Sequence, residues 1–112
     1  MANVYKNIQA VISAAGSDVD MYTAPDETTS IVKSIKLYNT HSSNLVVGIT
    51  VYDFSSTTDF EYDTVTVNTD NSVDLLTFNN VLVLEAGDIL KMQTPTTNVV
   101  KMTASVLQTS RS

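Results

Sequence analysis

An imidazole, paired carboxylates and phenol rings are the side chains in this sequence whose type and spacing offer chemistry. His41 is the single histidine of the 112 residues. It sits in Thr40-His41-Ser42-Ser43, with no carboxylate near it in sequence to orient it as a general base. Asp18 with Asp20, and Glu61 with Asp63, are spaced so that both carboxylates of a pair project to the same side of a strand, an arrangement calcium accepts. Neither pair belongs to an EF-hand loop or to a compact run of oxygen donors, so the plainer reading is a solvated surface. With 12 acidic residues in the chain, a glycosidase-like pair arises by coincidence and carries no weight. No nucleophile elbow, phosphate-cradling glycine loop or zinc-protease helix occurs. The residues therefore predict no enzyme, no catalytic residue, no metal and no cofactor. Tyr22, Tyr38 and Tyr52 are the remaining candidates, as sugar-stacking rings or as protein-contact residues. Each alternates with apolar neighbours, which also fits a ring lying in a sheet surface with its hydroxyl in water.

The 12 acidic against 6 basic side chains give a net charge of −6 and a pI near 4.3. That sign opposes phosphate backbones and anionic lipid surfaces alike, so neither nucleic acid nor membrane is an expected partner. There is no cysteine, which removes disulfides, thiolate nucleophiles and zinc-finger sites together. No apolar run is long enough to span a bilayer, and Met1 to Ser13 lacks the charged start and apolar stretch of a signal peptide. Hydrophobic residues at 43% against 16% charged residues place the chain on the globular side of the disorder boundary. Its length suits one domain, 1–112, with a folded surface of about 6,000 Å².

The elements that must position these residues are strands. Thr and Val are plentiful and helical periodicity is absent. Asn44 to Asp53 alternates cleanly, Leu45, Val47, Ile49 and Val51 on one face and Val46, Gly48, Thr50 and Tyr52 on the other. Ser30 to Asn39 reads with Ile31, Ile35 and Leu37 on one side and Val32, Ser34, Lys36 and Tyr38 opposite, and Thr40-His41-Ser42-Ser43 as a short hairpin loop to the next strand. Phe60 to Val67 has two mixed faces, suiting an edge strand. Asn68-Thr69-Asp70-Asn71 turns the chain into Ser72 to Phe78, then Val81 to Leu84, Ile89 to Thr94 and Val99 to Leu107. Val4 to Ser13 and Val19 to Thr23 bring the total to about nine, the spacing of a sandwich. Phe54 to Asp59 is expected to be the longest excursion. Pro25, lacking an amide hydrogen, should end the strand before it. Gly87 should supply a positive φ where the chain reverses or crosses between sheets. The predicted fold is all-β, a two-sheet antiparallel β-sandwich of jelly-roll or immunoglobulin-like type.

One ordered set of segments carries more than its parts. Tyr22-Thr23-Ala24-Pro25, Ile31-Val32-Lys33-Ser34-Ile35 running to Asn39-Thr40, Val83-Leu84-Glu85-Ala86-Gly87-Asp88-Ile89-Leu90 and Thr103-Ala104-Ser105-Val106-Leu107 together resemble small virion structural proteins of tailed bacteriophages, over Val19 to Leu107. The resemblance implies a β-sandwich that builds or decorates a phage particle without catalysis. It implies the major capsid protein or other virion proteins as partners, homo-oligomers, and residence in the virion after synthesis in the host cytoplasm.

On that reading the expected role is a capsid decoration or cement protein that bridges shell subunits. The expected interface residues are Val4, Tyr5, Ile8 and Tyr22. Val4, Ile8, Val11 and Ile12 make 1–14 apolar enough to serve either as a first strand of the sandwich or as an arm that adds to a neighbour's sheet edge. The alternatives are an adaptor or fibre-attachment protein at the neck, tail or baseplate, and a carbohydrate-binding adhesion module with Tyr38 or Tyr52 as its platform.

Overall fold

Alternation of apolar and polar side chains, repeated along the chain, yields nine strands in the computed structural model, which describes residues 3–76, 81–96 and 99–110. They are β1 (Asn3–Val11), β2 (Val19–Thr23), β3 (Thr28–Asn39), β4 (Leu45–Asp53), β5 (Thr58–Val67), β6 (Ser72–Leu76), β7 (Leu82–Leu84), β8 (Ile89–Gln93) and β9 (Val100–Ser110). The expected extension of β6 to Phe78 lies outside the described residues. All strand pairings are antiparallel: β1 with β9, β2 with β8, β3 with β6, β7 and β9, and β4 with β5 and β8.

These pairings define one sheet of order β1-β9-β3-β6, with β7 continuing the β6 edge, and a second of order β2-β8-β4-β5. The first four strands thus pair in reverse order with the last five, and successive pairs alternate between sheets. That is the winding of a jelly roll; the immunoglobulin-like alternative pairs its strands otherwise. Between the sheets lies one core, with Ile12, Ile35, Leu37, Val47, Ile49, Leu84, Leu90, Met92 and Met102 all at most 1% exposed. The surface of 6148 Å² matches the size-scaling expectation.

Two loops depart from the sequence reading. Thr40-His41-Ser42-Ser43 is not a hairpin, because β3 and β4 lie in different sheets and the segment carries the chain across the sandwich. The cause is Asn39, fully buried at the end of β3. Its amide donates to Ser43 O at 3.0 Å and Val67 O at 2.9 Å, and its Oδ1 accepts from His41 N at 2.8 Å. Its main chain is tied to Asn71 O and Asp70 N. Phe54 to Asp59 is likewise no long excursion: Asp53 pairs with Thr58, leaving a tight hairpin over 54–57 closed by Thr57 at φ 50°.

The facing of β3 also needs correction. Val32 pairs with Val106 and Ser34 with Ser105, so Lys33 is an extra residue, a β-bulge. Before it Ser30 and Val32 are buried and Ile31 faces out; after it Ile35, Leu37 and Asn39 are buried. One inserted residue inverts the alternation, which is why Ile31 and Val32 exchange sides. Other expectations hold. Strand β2 ends two residues before Pro25, β5 is a solvated edge strand, and Gly87 has φ +87° where β7 of one sheet passes to β8 of the other.

Thr94, just past β8, is 2% exposed, and its hydroxyl has no hydrogen-bond partner among the described residues. Removing an orphaned buried hydroxyl while keeping shape relieves a desolvation cost. Thr94→Val should therefore raise stability by about 1 kcal/mol, roughly 4 °C in melting temperature, measured by calorimetry.

Candidate functional site

Strand β1 forms one edge of its sheet, with β9 on one side and the other row of backbone N–H and C=O groups open. It carries one charge, Lys6, in nine residues. Long edges with so little charge invite a further strand. Of the expected interface residues, Val4 lies opposite Gln108 on the inward side of β1 but beyond the packed core, at 45% exposure. Tyr5 faces outward at 73%, with Lys33 Nζ 5.7 Å from its ring centroid. Ile8 faces inward and packs on the core. These three share the β1 edge.

Tyr22 is elsewhere. Its ring packs against the core from β2, and its hydroxyl shares a 2.8 Å hydrogen bond with Ser30 Oγ and accepts one from Gln108 Nε2 at 2.6 Å. Ser30 and Gln108 belong to the opposite sheet, so Tyr22 ties the sheets together. Its hydroxyl is not left to water as the sequence pattern suggested.

The two rings weighed as a sugar platform lie on opposite outer faces of the sandwich. Tyr38, 41% exposed, is paired with Lys101 on the first sheet; Tyr52 is on the second, with Lys91 Nζ 5.0 Å from its ring centroid. His41 is held in the crossing segment, its Nδ1 accepting from Ser43 N at 3.2 Å while Thr69 Oγ1 donates to its carbonyl. Asp18, Asp59 and Glu61 line one shallow groove, open to solvent, over the outer face of the second sheet; Asp63 also borders it but pairs with the buried Ile49, because Tyr62 is an extra residue in β5, so Glu61 and Asp63 do not share a side as their spacing suggested. The floor of the groove is Gly48, which has no side chain to fill it; a Cβ there would touch only Gln93. Asp20 is two residues from Asp18 but pairs across strands with Lys91, and among the described residues no three His, Asp or Glu side chains converge on a metal-sized site. Lys91 also reaches Asp59 at 3.4 Å. Asp53, in the β4–β5 hairpin, has its carboxyl held below the usual carboxylate range, chiefly by the Ser55 hydroxyl donating to it at 2.8 Å. Asp88, buried between loops, accepts from Phe54 N at 3.0 Å and Glu85 N at 2.9 Å.

Sequence reasoning missed a row of apolar side chains on the outer face of the first sheet. Tyr5 pairs with Leu107, Leu107 with Ile31, and Ile31 with Val83, so four side chains from four strands form a continuous stripe on the solvent side. Val83 is 52% exposed. No local signal marks it, because the row depends on the register of segments far apart in sequence and on the Lys33 bulge that turns Ile31 outward.

The fold and surface define a jelly-roll β-sandwich with an open edge and patterned outer faces. No protein-family model and no curated protein matches the chain. Among solved structures it is similar to a protein of Bacillus endospore appendages, described as disulfide-linked pili, with 13% identity and a TM-score of 0.59 over 98% of this chain and 89% of that one. It is also similar to a protein in the virus-like particle of the extra small virus of the prawn Macrobrachium rosenbergii, with 13% identity and a TM-score of 0.52 over 96% of this chain and 79% of that one. Both neighbours belong to structural assemblies, a pilus and a viral particle; at this identity the likeness concerns the fold. This chain has no cysteine and cannot form disulfide links of the pilus kind.

Proposed function

We propose that the chain is a non-enzymatic structural protein of a phage virion, a decoration or cement protein that bridges shell subunits. The observation that carries this reading is the open β1 edge, long, nearly uncharged and flanked by exposed Val4 and Tyr5. A strand from a neighbour pairs along it and gains main-chain hydrogen bonds, while Tyr5 and Val4 supply apolar contact on its two sides. A standard contact takes roughly 800 Å² per partner, about an eighth of the 6148 Å² surface, so each copy has room for several neighbours. Many weak contacts on one shell then add as avidity. The likeness to a viral-particle protein and a pilus protein supports an assembling role, and the ordered Tyr-Thr-x-Pro and Gly-Asp segments point to the phage setting.

The test is truncation of Met1 to Asn7. The described part of this segment is exposed throughout, so the shortened protein should still fold and unfold cooperatively. It should be recovered on purified particles at no more than about a tenth of the full-length amount, the loss expected when about 1.4 kcal/mol of contact is removed. Equal incorporation of both forms would refute the edge as the attachment strand. Copy number separates shell from tail: hundreds per particle belong to a shell, and small multiples of three or six to the tail axis.

A further inference from the structure

We propose that copies of this chain stack front to back, the outer face of the β1-β9-β3-β6 sheet of one docking on the outer face of the β2-β8-β4-β5 sheet of the next. The inference rests on the reading of the chain as an assembling subunit, but not on the particle it joins.

The faces are unlike in charge. On the first, Lys33, Lys36 and Lys101 are exposed against one carboxylate among the described residues, Asp74, paired opposite Lys36. On the second, Asp18, Asp59 and Glu61 rim the groove and Asp20 lies beside it, against one ammonium among the described residues, Lys91, which Asp59 already holds. A chain carrying −6 overall therefore places three of its five described lysines on one outer face of the sandwich and a cluster of four carboxylates on the other. Like meeting like, lysines against lysines or carboxylates against carboxylates, repels. Unlike faces attract, so the contact is heterologous, with different surfaces from the two copies, and repeats from copy to copy as a ring or an open stack.

The same faces supply the apolar centre that a charged rim needs. The first bears the Tyr5–Leu107–Ile31–Val83 stripe across the sheet. The second has Val46, 50% exposed, beside the bare backbone of Gly48 and Pro95, which together line a second shallow depression. With extents of 46 × 27 × 22 Å, either face is broad enough for the roughly 800 Å² per partner of a specific contact.

Sedimentation of the full chain over a concentration series, at low and high salt, reads the association directly; it should weaken with salt as screening grows. The decisive variants reverse one face each: K33E/K36E/K101E makes both faces acidic, and D18K/D20K/E61K makes both basic. Each alone should sediment as a monomer, and an equimolar mixture should associate, because every contact then again joins opposite charges. Val83→Ser, at a position 52% exposed, should weaken wild-type association by about tenfold through the stripe alone. Circular dichroism melting establishes that each variant is folded. A monomeric wild type at low salt, folded single-face variants that still associate, or a mixture of folded variants that does not, would each overturn the proposal. A wild type that decorates particles yet never self-associates defeats only this inference; one that stacks with the charge-swap behaviour but is absent from particles defeats only the virion reading.

Discussion

Asn39→Leu is expected to lower stability by about 3 kcal/mol, roughly 12 °C in melting temperature, though leucine has the same branched outline of heavy atoms. Asn39 is fully buried where β3 of one sheet gives way to the crossing toward β4 of the other. Its amide group uses both N–H bonds, on Ser43 O and Val67 O, and its Oδ1 receives the His41 N–H. Leucine deletes all three at once and leaves the Val67 carbonyl without that donor in the interior, and an unmade buried hydrogen bond costs about 1–3 kcal/mol. Asn39→Asp keeps the acceptor for His41 but turns a carboxylate toward two carbonyl oxygens. Burial and those oxygens push that aspartate's pKa above its unfolded value, so the deficit relative to wild type narrows as pH falls and the neutral, O–H-donating form takes over. Chemical denaturation across pH checks both. A leucine variant with wild-type stability would show that the crossing is held by something other than Asn39.

Gly87→Ala is expected to cost about 2–3 kcal/mol from two sources that a second substitution separates. The first is conformational: Gly87 has φ +87°, a region that side chains rarely adopt. The second is steric, because a Cβ at this position would lie 2.7 Å from Cγ of the Phe54 ring. The turn around it is tightly tied, Gly87 N donating to Ala24 O and Asp88 N to Glu85 O, so the backbone has little freedom to retreat. Phe54 is 59% exposed at the tip of the β4–β5 hairpin, and Phe54→Ala alone should cost under about 1 kcal/mol. The double variant should then be about 1 kcal/mol more stable than the sum of the single effects, the steric share of the penalty, with the backbone share left behind. Strict additivity in denaturant unfolding would mean that the ring is not what a side chain at 87 meets.

The positions most open to sequence reading were those governed by neighbours along the chain. The alternation of Leu45, Val47, Ile49 and Val51 predicted the inward face of β4, Pro25 marked the end of β2, and Gly87 marked the crossing from β7 to β8, because period-two patterning, a missing amide hydrogen and a permitted positive φ are all local properties. The failures have a common origin in partners distant along the chain. Thr40-His41-Ser42-Ser43 has the composition of a hairpin loop, yet Asn39 finds Val67, twenty-eight residues on, and the chain changes sheets. Lys33 bulges because β9 opposes β3 with one residue fewer, and nothing in Ile31-Val32-Lys33-Ser34 announces it.

The candidate surface divides in the same way. That Asn3–Val11 would be an apolar, sparsely charged strand is written in its residues; that it would be an edge follows only from β9 being flanked by β1 and β3. Tyr22 looks like any half-wet strand tyrosine until Ser30 and Gln108 arrive from the other sheet to bind its hydroxyl. Strand identity, turn positions and the all-β class thus rest on short-range preferences that operate before the chain has folded. The jelly-roll winding, the Tyr5–Leu107–Ile31–Val83 stripe and the gathering of Lys33, Lys36 and Lys101 on one outer face and of Asp18, Asp20, Asp59 and Glu61 on the other rest on register between remote strands, which exists only once both sheets have closed on the core.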